Sequence, residues 1–428
     1  MTMFASLQWL FFIFANTVVV PISVGTAFEL PQHEIAAILR SSFIITGIAC
    51  MLQGLIGHRF PLMEGHSGVM WGLMLNLSVT ASSLGMSLSS IGGGIATGML
   101  LAGAVVFILG ALNLLTFLHK VFTPMVMSVY LFLLTFQLIQ IFFEGMIKVS
   151  HDGTVDVPVS LFSIGIVILV SLLKIKGPKS ISNFSILIGM IVGWIFYIIL
   201  FPQEEVINVN ANTTMDILIF PFGTPNLHIG IISVTFLASF INLINTNASI
   251  QTVANLLNAK ITKSHFNRSY LLTGMYSILA AIFGLVSYAP FTSSVGFLES
   301  TQIFDRKPFI IGGGLLSLMG VIPFLGALFA SMPITVGNAV LFVAYLQLFG
   351  TSLKSLNGYL FNSVTIHRLA IPVLVGLSIM NMETELFRSL PAFLQPIVSN
   401  GFIMGVLISI VMEALVKWDR EMIYEKDM

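Results

Sequence analysis

The sequence predicts an all-α membrane protein with fourteen transmembrane segments, and three observations lead to that class. First, 56% of the 428 residues are hydrophobic and only 8% are charged, whereas soluble domains carry about 25% charged residues. Second, the apolar residues form long runs, most of them close to the ~20 residues that a crossing helix needs. Third, Lys and Arg are concentrated in alternate connections, as expected when short cytoplasmic loops retain positive charge.

The apolar runs divide the chain into segments numbered 1 to 14 from the N-terminus. Two of them, segments 3 and 10, are too short or too polar to be continuous lipid-facing helices. The predicted spans are 6–28, 34–57, 61–80, 92–116, 122–143, 157–175, 180–201, 227–247, 269–288, 292–303, 309–331, 333–350, 366–382 and 390–417.

The basic residues orient these segments. They follow the even-numbered segments, whereas the odd-numbered connections carry only Lys148 and Arg388. We therefore expect a multi-pass protein of the cell (plasma) membrane with both termini and the connection 258–268 in the cytoplasm, and 202–226 outside. The orienting residues are Arg59, Lys120, Lys174, Lys176, Lys179, Lys260, Lys263, Arg268, Arg306, Lys307, Lys354, Arg368, Lys417, Arg420 and Lys426.

The two halves of the chain resemble each other with an offset of seven segments. The interrupted segments 3 and 10 are seven apart, and so are segments 5 and 12, where Pro124 and Gln137 have counterparts in Pro333 and Gln347. Because seven is odd, two such halves enter the membrane with opposite orientation. An inverted repeat with paired broken segments is typical of secondary transporters that bind their substrate near the bilayer midplane.

Segment 3 carries two titratable residues, Glu64 and His66. A charge at the bilayer centre costs about 2.5–3.5 kcal/mol on insertion scales, so such residues are functional candidates by default. Glu64 can hold a proton and His66 can donate or accept a hydrogen bond. The alternative is that Glu64 lies at the inner membrane face as an ion-pair partner of Arg59. For Glu299 in segment 10, the alternatives are a functional pairing with another half-helix and an extension to the far interface.

Segment 8 has an unusually dense group of amide and hydroxyl side chains. Amides present a donor and an acceptor together, which suits a neutral heterocycle with alternating C=O and N–H groups, although interhelical hydrogen bonds explain part of the group. Arg40 in segment 2 is expected to extend to the outer interface. The residues of the group are Asn242, Asn245, Thr246, Asn247, Ser249 and Gln251.

Other chemistries find little support in the sequence. The formal net charge is zero and there is a single cysteine, Cys50, so neither nucleic acid nor a disulfide framework is indicated. The glycine triplets 92–94 and 312–314 lack the Lys-Ser/Thr of a phosphate-binding loop and are read as helix-packing sites. We expect no enzyme activity, no metal and no cofactor.

Several motifs resemble the nucleobase–ascorbate transporter family. Residues 7–9 (Leu-Gln-Trp) and 16–21 (Asn-Thr-Val-Val-Val-Pro) resemble the family's first helix, which typically reads Leu-Gln-His and then Thr-Val-x-Val-Pro. Residues 60–67 resemble its third segment, and residues 293–296 (Ser-Ser-Val-Gly), followed by Thr301-Gln302, resemble its signature in the tenth. The resemblance follows segment order along essentially the whole chain.

The resemblance implies a fold of two inverted seven-segment repeats. Residues 1–116 and 226–331 (segments 1–4 and 8–11) would form a core domain, and residues 117–225 and 332–428 would form a gate domain. Segments 3 and 10 would begin as short antiparallel strands, with the substrate between them and segment 8. Family members are mostly proton- or sodium-coupled importers of uracil, xanthine or related purines and are often homodimers.

The chain departs from the family at residues that hold the base. Asn245 stands where the family usually has a glutamate, Ser293 and Ser294 replace Glu/Gln-Asn, Gly68 replaces an aromatic residue and Trp9 replaces a histidine. The residues expected to bind substrate are Glu64, Gly65, His66, Ser67, Asn245, Ser249, Ser293, Ser294 and Gly296, and those considered for proton coupling are Glu64, His66 and Glu299.

The sequence thus predicts a secondary active transporter for a nucleobase such as a purine or uracil, by proton or sodium symport, in which the core moves against the gate. One alternative is an anion carrier of the sulfate or bicarbonate type, because such carriers share this architecture and could hold the anion at facing helix N-termini. Another is an uncoupled facilitator or channel.

Overall fold

The computed structural model describes residues 2–114, 121–149, 153–182, 184–202, 217–356, 359–391, 393–416 and 418. Within these ranges, eight helices are long and apolar enough to cross a membrane, or nine if one bent pair is counted as a single span. Further apolar helices are shorter, at Gly68–Val79, Ser185–Leu200 and Gly401–Leu415. The protein is therefore a multi-pass helical membrane protein, and fourteen crossings remain a prediction. Lys120, Lys417, Arg420, Lys426 and residues 203–216 lie outside the described residues.

The elements follow one another in a single chain of helices interrupted by two strands. A 3₁₀ turn at Thr384–Phe387 precedes the last two helices. The elements are α1 (Thr2–Thr17), α2 (Val19–Ala27), α3 (Gln32–Leu55), β1 (Glu64–His66), α4 (Gly68–Val79), α5 (Leu88–Ala111), α6 (Pro124–Met146), α7 (Val157–Lys176), α8 (Lys179–Ser182), α9 (Ser185–Leu200), α10 (Ile229–Ile241), α11 (Leu243–Leu256), α12 (Lys263–Phe283), β2 (Tyr288–Pro290), α13 (Ser293–Thr301), α14 (Arg306–Val321), α15 (Pro323–Ala330), α16 (Ile334–Lys354), α17 (Ser363–Met380), α18 (Gln395–Val398) and α19 (Gly401–Leu415).

Side-chain caps fix where several helices begin. The Ser67 side chain accepts a hydrogen bond from the Met70 N–H at the start of α4. Ser87 caps α5 in the same way, and Thr123 caps α6, where Pro124 follows at the first helical position. Such caps each contribute about 1 kcal/mol because they satisfy backbone N–H groups that have no partner inside the helix. They matter more in a bilayer, where water cannot substitute.

Three predicted spans differ from the structure. Segment 8, predicted to end at residue 247, continues as α11 to Leu256, because polar side chains after the interruption at Asn242 are accommodated in the helix, as where Gln251 donates to Asn247 one turn earlier. Segment 11 is not straight: α14 and α15 meet at an angle of 93°. Pro323 begins the second helix, and proline lacks the N–H that would continue the first. Segment 14 is divided into α18 and α19, with Asn400 capping the latter.

The prediction that Arg40 extends to the outer interface is wrong. Arg40 is buried, and its Nε donates to the carbonyl of Gly320 at 3.3 Å. Gly326 lies against Cγ and Cδ of Arg40 and leaves the space that its side chain occupies, and Gly320 lies against the Arg40 backbone carbonyl. A buried arginine in the membrane is tolerated because protein carbonyls, not lipid, surround it.

The helices pack as two groups. The first group comprises α1–α5 and α10–α15, and the second comprises α6, α7, α9, α16, α17 and α19. In the first group the most extensive packing is between α3 and α14 and between α5 and α12. An offset of seven segments exchanges these two pairs, so their equivalence agrees with an inverted repeat.

Glycines bring both of these helix pairs close together. Gly47 of α3 lies against the Gly313 carbonyl and Ser317 of α14, and Gly103 of α5 lies against Gly274 and Ile278 of α12. Small residues at helix contacts allow backbones to approach, which is the main source of helix association in lipid.

The centre of the first group is a two-stranded antiparallel sheet. In β1 and β2, Glu64 pairs with Pro290, Gly65 with Ala289 and His66 with Tyr288. Flanking hydrogen bonds extend the pairing, from Ser67 N–H to the Ser287 carbonyl and from Phe291 N–H to the Met63 carbonyl. These bonds satisfy the backbone groups between the two strands, and the outward-facing carbonyls of Tyr288 and Pro290 accept from Asn242 and Ser249, which permits extended chain at membrane depth.

Candidate functional site

The strand pair places Glu64 and His66 on the same face, because alternate residues of a strand point to the same side. That face is turned towards α3 and α12. The carboxylate of Glu64 is fully buried. Its Oε1 accepts from the Thr273 hydroxyl at 2.8 Å, and its Oε2 accepts from the Gln53 amide at 3.2 Å. Glu64 is thus held by uncharged partners, not by Arg59, which is exposed.

The Glu64 environment is suited to hold a carboxyl group in either protonation state. Gln53 can only donate through Nε2, so Oε2 must remain an acceptor. The Thr273 hydroxyl can donate to a carboxylate or accept from a carboxylic acid. A proton on Oε1 therefore requires only that the Thr273 hydroxyl rotate, with no loss of hydrogen bonds at the carboxyl group.

The His66 ring is fixed by two partners. Its Nδ1 lies 3.1 Å from the Val286 carbonyl oxygen, and its Nε2 lies 2.6 Å from Ser42 Oγ. Because a carbonyl only accepts, Nδ1 carries the hydrogen and Nε2 accepts from the serine, as assigned from the network. His66 is buried and packs against the Tyr288 ring with centroids 5.0 Å apart.

Helices α10 and α11 meet at Asn242, whose side chain is hydrogen-bonded to both half-helix units, the strand–helix pairs β1–α4 and β2–α13. Its Oδ1 accepts from Ser67 Oγ at 2.7 Å, and its Nδ2 donates to the Tyr288 carbonyl at 2.9 Å. Further along α11, Ser249 donates to the Pro290 carbonyl at 3.1 Å. The segment 8 side chains therefore hold the strand pair in place.

Eight of the nine predicted substrate-binding residues separate into two sets, and Gly65 belongs to neither. One set is already bonded to its neighbours: Glu64 and His66 as above, Ser67 with Asn242, Ser249 with Pro290, and Ser294, which accepts from the Met63 N–H at 3.1 Å. The other set keeps accessible surface. Asn245, Ser293 and Gly296 are all partly exposed, whereas Gly65 is buried beneath the Phe291 ring.

Asn245 and Ser293 have unused hydrogen-bonding capacity. No hydrogen bond from the Asn245 side chain reaches another described residue. The Oγ of Ser293 is buried and has no partner among the described residues. Because unsatisfied polar groups are costly in a membrane, these two side chains are suited to bind a polar ligand.

Glu299 lies apart from this cluster. It is exposed and follows Ser293 by six residues, which places it about 9 Å further along α13. The backbone carbonyl of Glu299 accepts from Gln302 at the end of the helix.

Sequence reasoning missed Gln53, Thr273, Tyr288 and Phe291. Gln53 and Thr273 lie 11 and 209 residues from Glu64, so only the fold shows that they surround it. Phe291 is different, because it stands directly before the serines of segment 10. A Cβ built on Gly65 would lie 2.8 Å from its ring, so Phe291 supplies an aromatic surface next to the strand pair.

Together, broken helices, a buried strand pair and a cluster of amides and hydroxyls at membrane depth define a membrane transport protein. The particular family follows from sequence comparison: the chain belongs to the permease family Xan_ur_permease, which it matches over residues 1–385. The suspected resemblance to nucleobase permeases is confirmed at the level of family.

Relatives match along nearly their whole length. The chain is 29% identical to "Putative purine permease YwdJ" of Bacillus subtilis (strain 168), covering 97% of this chain and 96% of that protein. It is 24% identical to "Nucleobase transporter PlUacP" of Paenibacillus larvae, covering 94% and 91%. It is 22% identical to "Uric acid transporter UacT" of Escherichia coli (strain K12), covering 95% and 84%.

Solved structures share the fold. The transmembrane domain of the cyanobacterial bicarbonate transporter BicA aligns with a TM-score of 0.58 at 13% identity, covering 96% of this chain and 97% of that one. The murine anion transporter Slc26a9 in its inward-facing state aligns with a TM-score of 0.60 at 12% identity, covering 95% and 68%. At such identities the likeness concerns fold alone.

Proposed function

We propose that this permease is a secondary active transporter for a nucleobase such as a purine. The observation that carries the proposal is the unsatisfied amide–hydroxyl pair, Asn245 and Ser293, beside the broken helices of a permease-family chain. An amide and a hydroxyl each donate and accept, which matches a neutral base with adjacent N–H and C=O groups. Relatives named for purine, nucleobase and uric acid transport support the same substrate class.

The proposed site lies between segments 3, 8 and 10. Asn245 and Ser293 would bond the base. Phe291, which packs over Gly65, would offer the base an aromatic surface, and Gly296 would allow close approach of the backbone. Ser67, Ser249 and Ser294 would act by holding the half-helix units, because their hydroxyls are already bonded within the protein.

The proposed mechanism is alternating access, in which the first helix group is the core and the second is the gate. Contacts across the groups join α2 to α16, α4 to α6, and α10 to α18 and α19, with one further contact between α1 and α9. With both termini cytoplasmic, α2, α4 and α10 are the outer halves of their segments. These contacts would therefore close the outside.

The inner half of segment 8 supports an opening towards the cytoplasm. Asn245, Thr252 and Asn255 are spaced seven and three residues apart on α11, which places them on one helix face. Asn245 is half-buried, and Thr252 and Asn255 are exposed. A polar face on a membrane helix must meet water or protein, not lipid. It would line an inner vestibule that leads from the site.

We propose proton symport, with Glu64 as the proton carrier. Its carboxyl group is buried, and the Thr273 hydroxyl that contacts Oε1 can donate or accept. His66 would assist by fixing β1 through Ser42 and Val286. The alternatives to proton symport are sodium coupling and uncoupled transport through the same site.

Binding and uptake by the full-length protein test the substrate class. We expect purified protein to be stabilised against heating by xanthine, uric acid, hypoxanthine or uracil, because a ligand that binds only the folded state raises its apparent stability. Vesicles containing the protein should accumulate the same base under an inward proton gradient. Stabilisation by bicarbonate or sulfate, with none by any base, would establish the anion alternative.

Cysteine labelling tests the proposed orientation. In a Cys50→Ala background, a membrane-impermeant thiol reagent applied to intact cells should leave Lys263→Cys unmodified and should label Glu205→Cys. The reverse pattern would invert the topology, and with it the assignment of α2, α4 and α10 to the outer side.

A further inference from the structure

A glycine groove on α4 brings a gate side chain to the edge of the proposed site. Gly68 and Gly72 are one turn apart and lie on one face of α4. A Cβ built on Gly68 would lie 3.0 Å from Cδ1 of Leu138, and one built on Gly72 would lie 2.9 Å from the amide group of Gln137. Both contacts are with α6. The amide of Gln137 is therefore pressed against the half-helix whose N-terminus adjoins the site.

Gln137 is not satisfied by the protein around it. The residue is buried, with 9% relative exposure, and its Oε1 is buried without a hydrogen-bond partner among the described residues. Leaving a buried acceptor unmatched costs about 1–3 kcal/mol. An apolar residue at this position would avoid that cost in a membrane helix, so the amide calls for an explanation other than packing.

The depth of Gln137 matches that of the site. It lies near the middle of α6, Pro124–Met146, and therefore near the bilayer midplane. The half-helix α4 also begins near the midplane, as paired broken helices of transporters do. Leu134 and Leu138, on either side of Gln137, reach Gly68, so the three side chains form one surface of the gate that faces the start of α4.

We propose that Gln137 is a specificity-determining residue on the gate, whose Oε1 accepts a hydrogen bond from a ring N–H of the bound nucleobase when gate and core close around it. This assignment rests on the proposed function. Asn245 and Ser293 form hydrogen bonds with the base from the core, and Gln137 accepts a hydrogen bond from a further N–H on the opposite side. Discrimination is expected to be sharp, because an analogue that lacks this N–H leaves a buried acceptor unmatched.

The experiment compares Gln137→Met with the parent in the full-length protein. Methionine is of similar length but removes the amide, and Gln140→Met on the same helix is the matched control, since Gln140 is exposed and bonds Glu144 at 3.0 Å. The labelled solute is whichever of xanthine, uric acid and hypoxanthine the parent transports best. Competitors are that base and each of its ring N-methyl isomers, and apparent melting without ligand is measured in parallel.

We expect the parent to reject one N-methyl isomer at least ten-fold. Gln137→Met should bind the unmethylated base roughly 5- to 30-fold more weakly, from the cost of an unmatched buried group, and should lose the discrimination against that isomer. It should melt no lower than the parent without ligand, because its unsatisfied acceptor is gone. Gln140→Met should match the parent in every measurement.

Three results would overturn the assignment. The first is that Gln137→Met binds the base and all its isomers with the affinities of the parent. The second is that its affinity for all of them falls by the same factor, so that the discrimination among isomers is preserved. The third is the same loss of affinity in Gln140→Met. If Gln137→Met does not accumulate in the membrane, Gln137→Leu is measured in the same assay and judged by the same outcomes. If the parent took up neither a purine nor uracil, the proposed function would be overturned, and this assignment with it.

Discussion

The two half-helix units of this permease share a backbone plan but differ in chemistry. Each consists of a three-residue strand followed by a helix, β1–α4 in the first half and β2–α13 in the second. On the strand face turned towards α3 and α12, the first unit places Glu64 and His66. The second unit places Pro290 and Tyr288 opposite them. Its only acidic residue, Glu299, is exposed at the far end of α13.

This difference teaches that an inverted repeat need not divide its tasks equally. The backbone geometry of strand and half-helix is required twice, because each half must interrupt a membrane segment without leaving unsatisfied backbone groups. A titratable group for the proposed proton coupling is required only once. In this chain the group belongs to the first unit, whereas the second contributes Ser293 and Phe291 to the proposed ligand site.

The sharpest way to break the comparison is to remove the charge from the first unit. Gln at position 64 keeps an oxygen for Gln53 and an amide that can donate to Thr273, so folding should be preserved. If Glu64 carries the proton, Glu64→Gln should abolish accumulation driven by a pH gradient while exchange of labelled for unlabelled base continues. Both are measured in the same vesicles.

Glu299→Gln is the matched control from the second unit. Because Glu299 is exposed and distant from the strand pair, its replacement should leave pH-driven accumulation unchanged. Concentrative uptake that survives in Glu64→Gln but fails in Glu299→Gln would place the coupling in the second unit and refute the asymmetry.

The helix pairs that flank the two units can be compared through their glycines. A Cβ at Gly47 would overlap the Gly313 carbonyl and the Ser317 side chain of α14, and a carbonyl in a helix cannot move aside. At Gly103 the nearest atoms are Cγ1 of Ile278, at 2.8 Å, and the Gly274 carbonyl oxygen, at 2.9 Å, so a Cβ there would also meet backbone but would overlap it less than at Gly47. Gly47→Ala should therefore destabilise the protein by roughly 3 kcal/mol, and Gly103→Ala by a smaller amount, about 1–2 kcal/mol.

Thermal unfolding in detergent, monitored by the loss of monodisperse protein, measures this difference in stability. Both substitutions gain about 1 kcal/mol of helix propensity, so that gain cancels from the comparison. Equal melting temperatures for the two variants would show that the α3–α14 and α5–α12 contacts yield equally to an added methyl group.

Much of the fold could be predicted from the sequence because membranes impose simple rules. Apolar length, the alternation of Lys and Arg, and the interruptions at Glu64–Gly68 and Pro290–Ser293 are each local features of the chain. The bend at Pro323 was missed because apolar composition continues through it. The burial of Arg40 was missed because it depends on the space at Gly326 and the carbonyl of Gly320, both almost 300 residues away.

The site was less predictable than the fold. Sequence reasoning selected residue types that suit a ligand, and the structure divides them into side chains bonded within the protein, such as Ser249, and side chains with unused capacity, such as Asn245. That division depends on partners distant in sequence: Ser67 is bonded by Asn242, 175 residues away. The sequence marked Gln137 only as part of the repeat, because the lack of a hydrogen-bond partner for its Oε1 depends on how the helices pack.

Asn245 provides the next prediction, which bears on the ligand and not on coupling. Asn245→Ala should weaken binding of the base by about 1–3 kcal/mol, the usual cost of leaving a buried partner unmatched. It should not reduce the amount of folded protein, since its side chain bonds no other described residue. Competition binding measures the first and size-exclusion recovery the second. Unchanged affinity would remove the inner half of segment 8 from the site.

The smallest effects expected are those of two adjacent serines in the second unit, and they should be opposite in kind. Ser294 accepts from the Met63 N–H of the first unit at 3.1 Å, so Ser294→Ala should lower the unfolding free energy by about 1 kcal/mol and leave affinity for the base nearly unchanged. Ser293 has no partner for its buried Oγ among the described residues.

Ser293→Ala should therefore leave the melting temperature unchanged or slightly raised, and should weaken binding by about 1 kcal/mol. Melting curves and competition binding on both variants, each referred to the parent, separate the two roles. The pair is informative because the substitutions are chemically identical and one residue apart. If both serines changed stability alone, the second unit would support the fold without contacting the ligand, and recognition would belong to segment 8 and the gate.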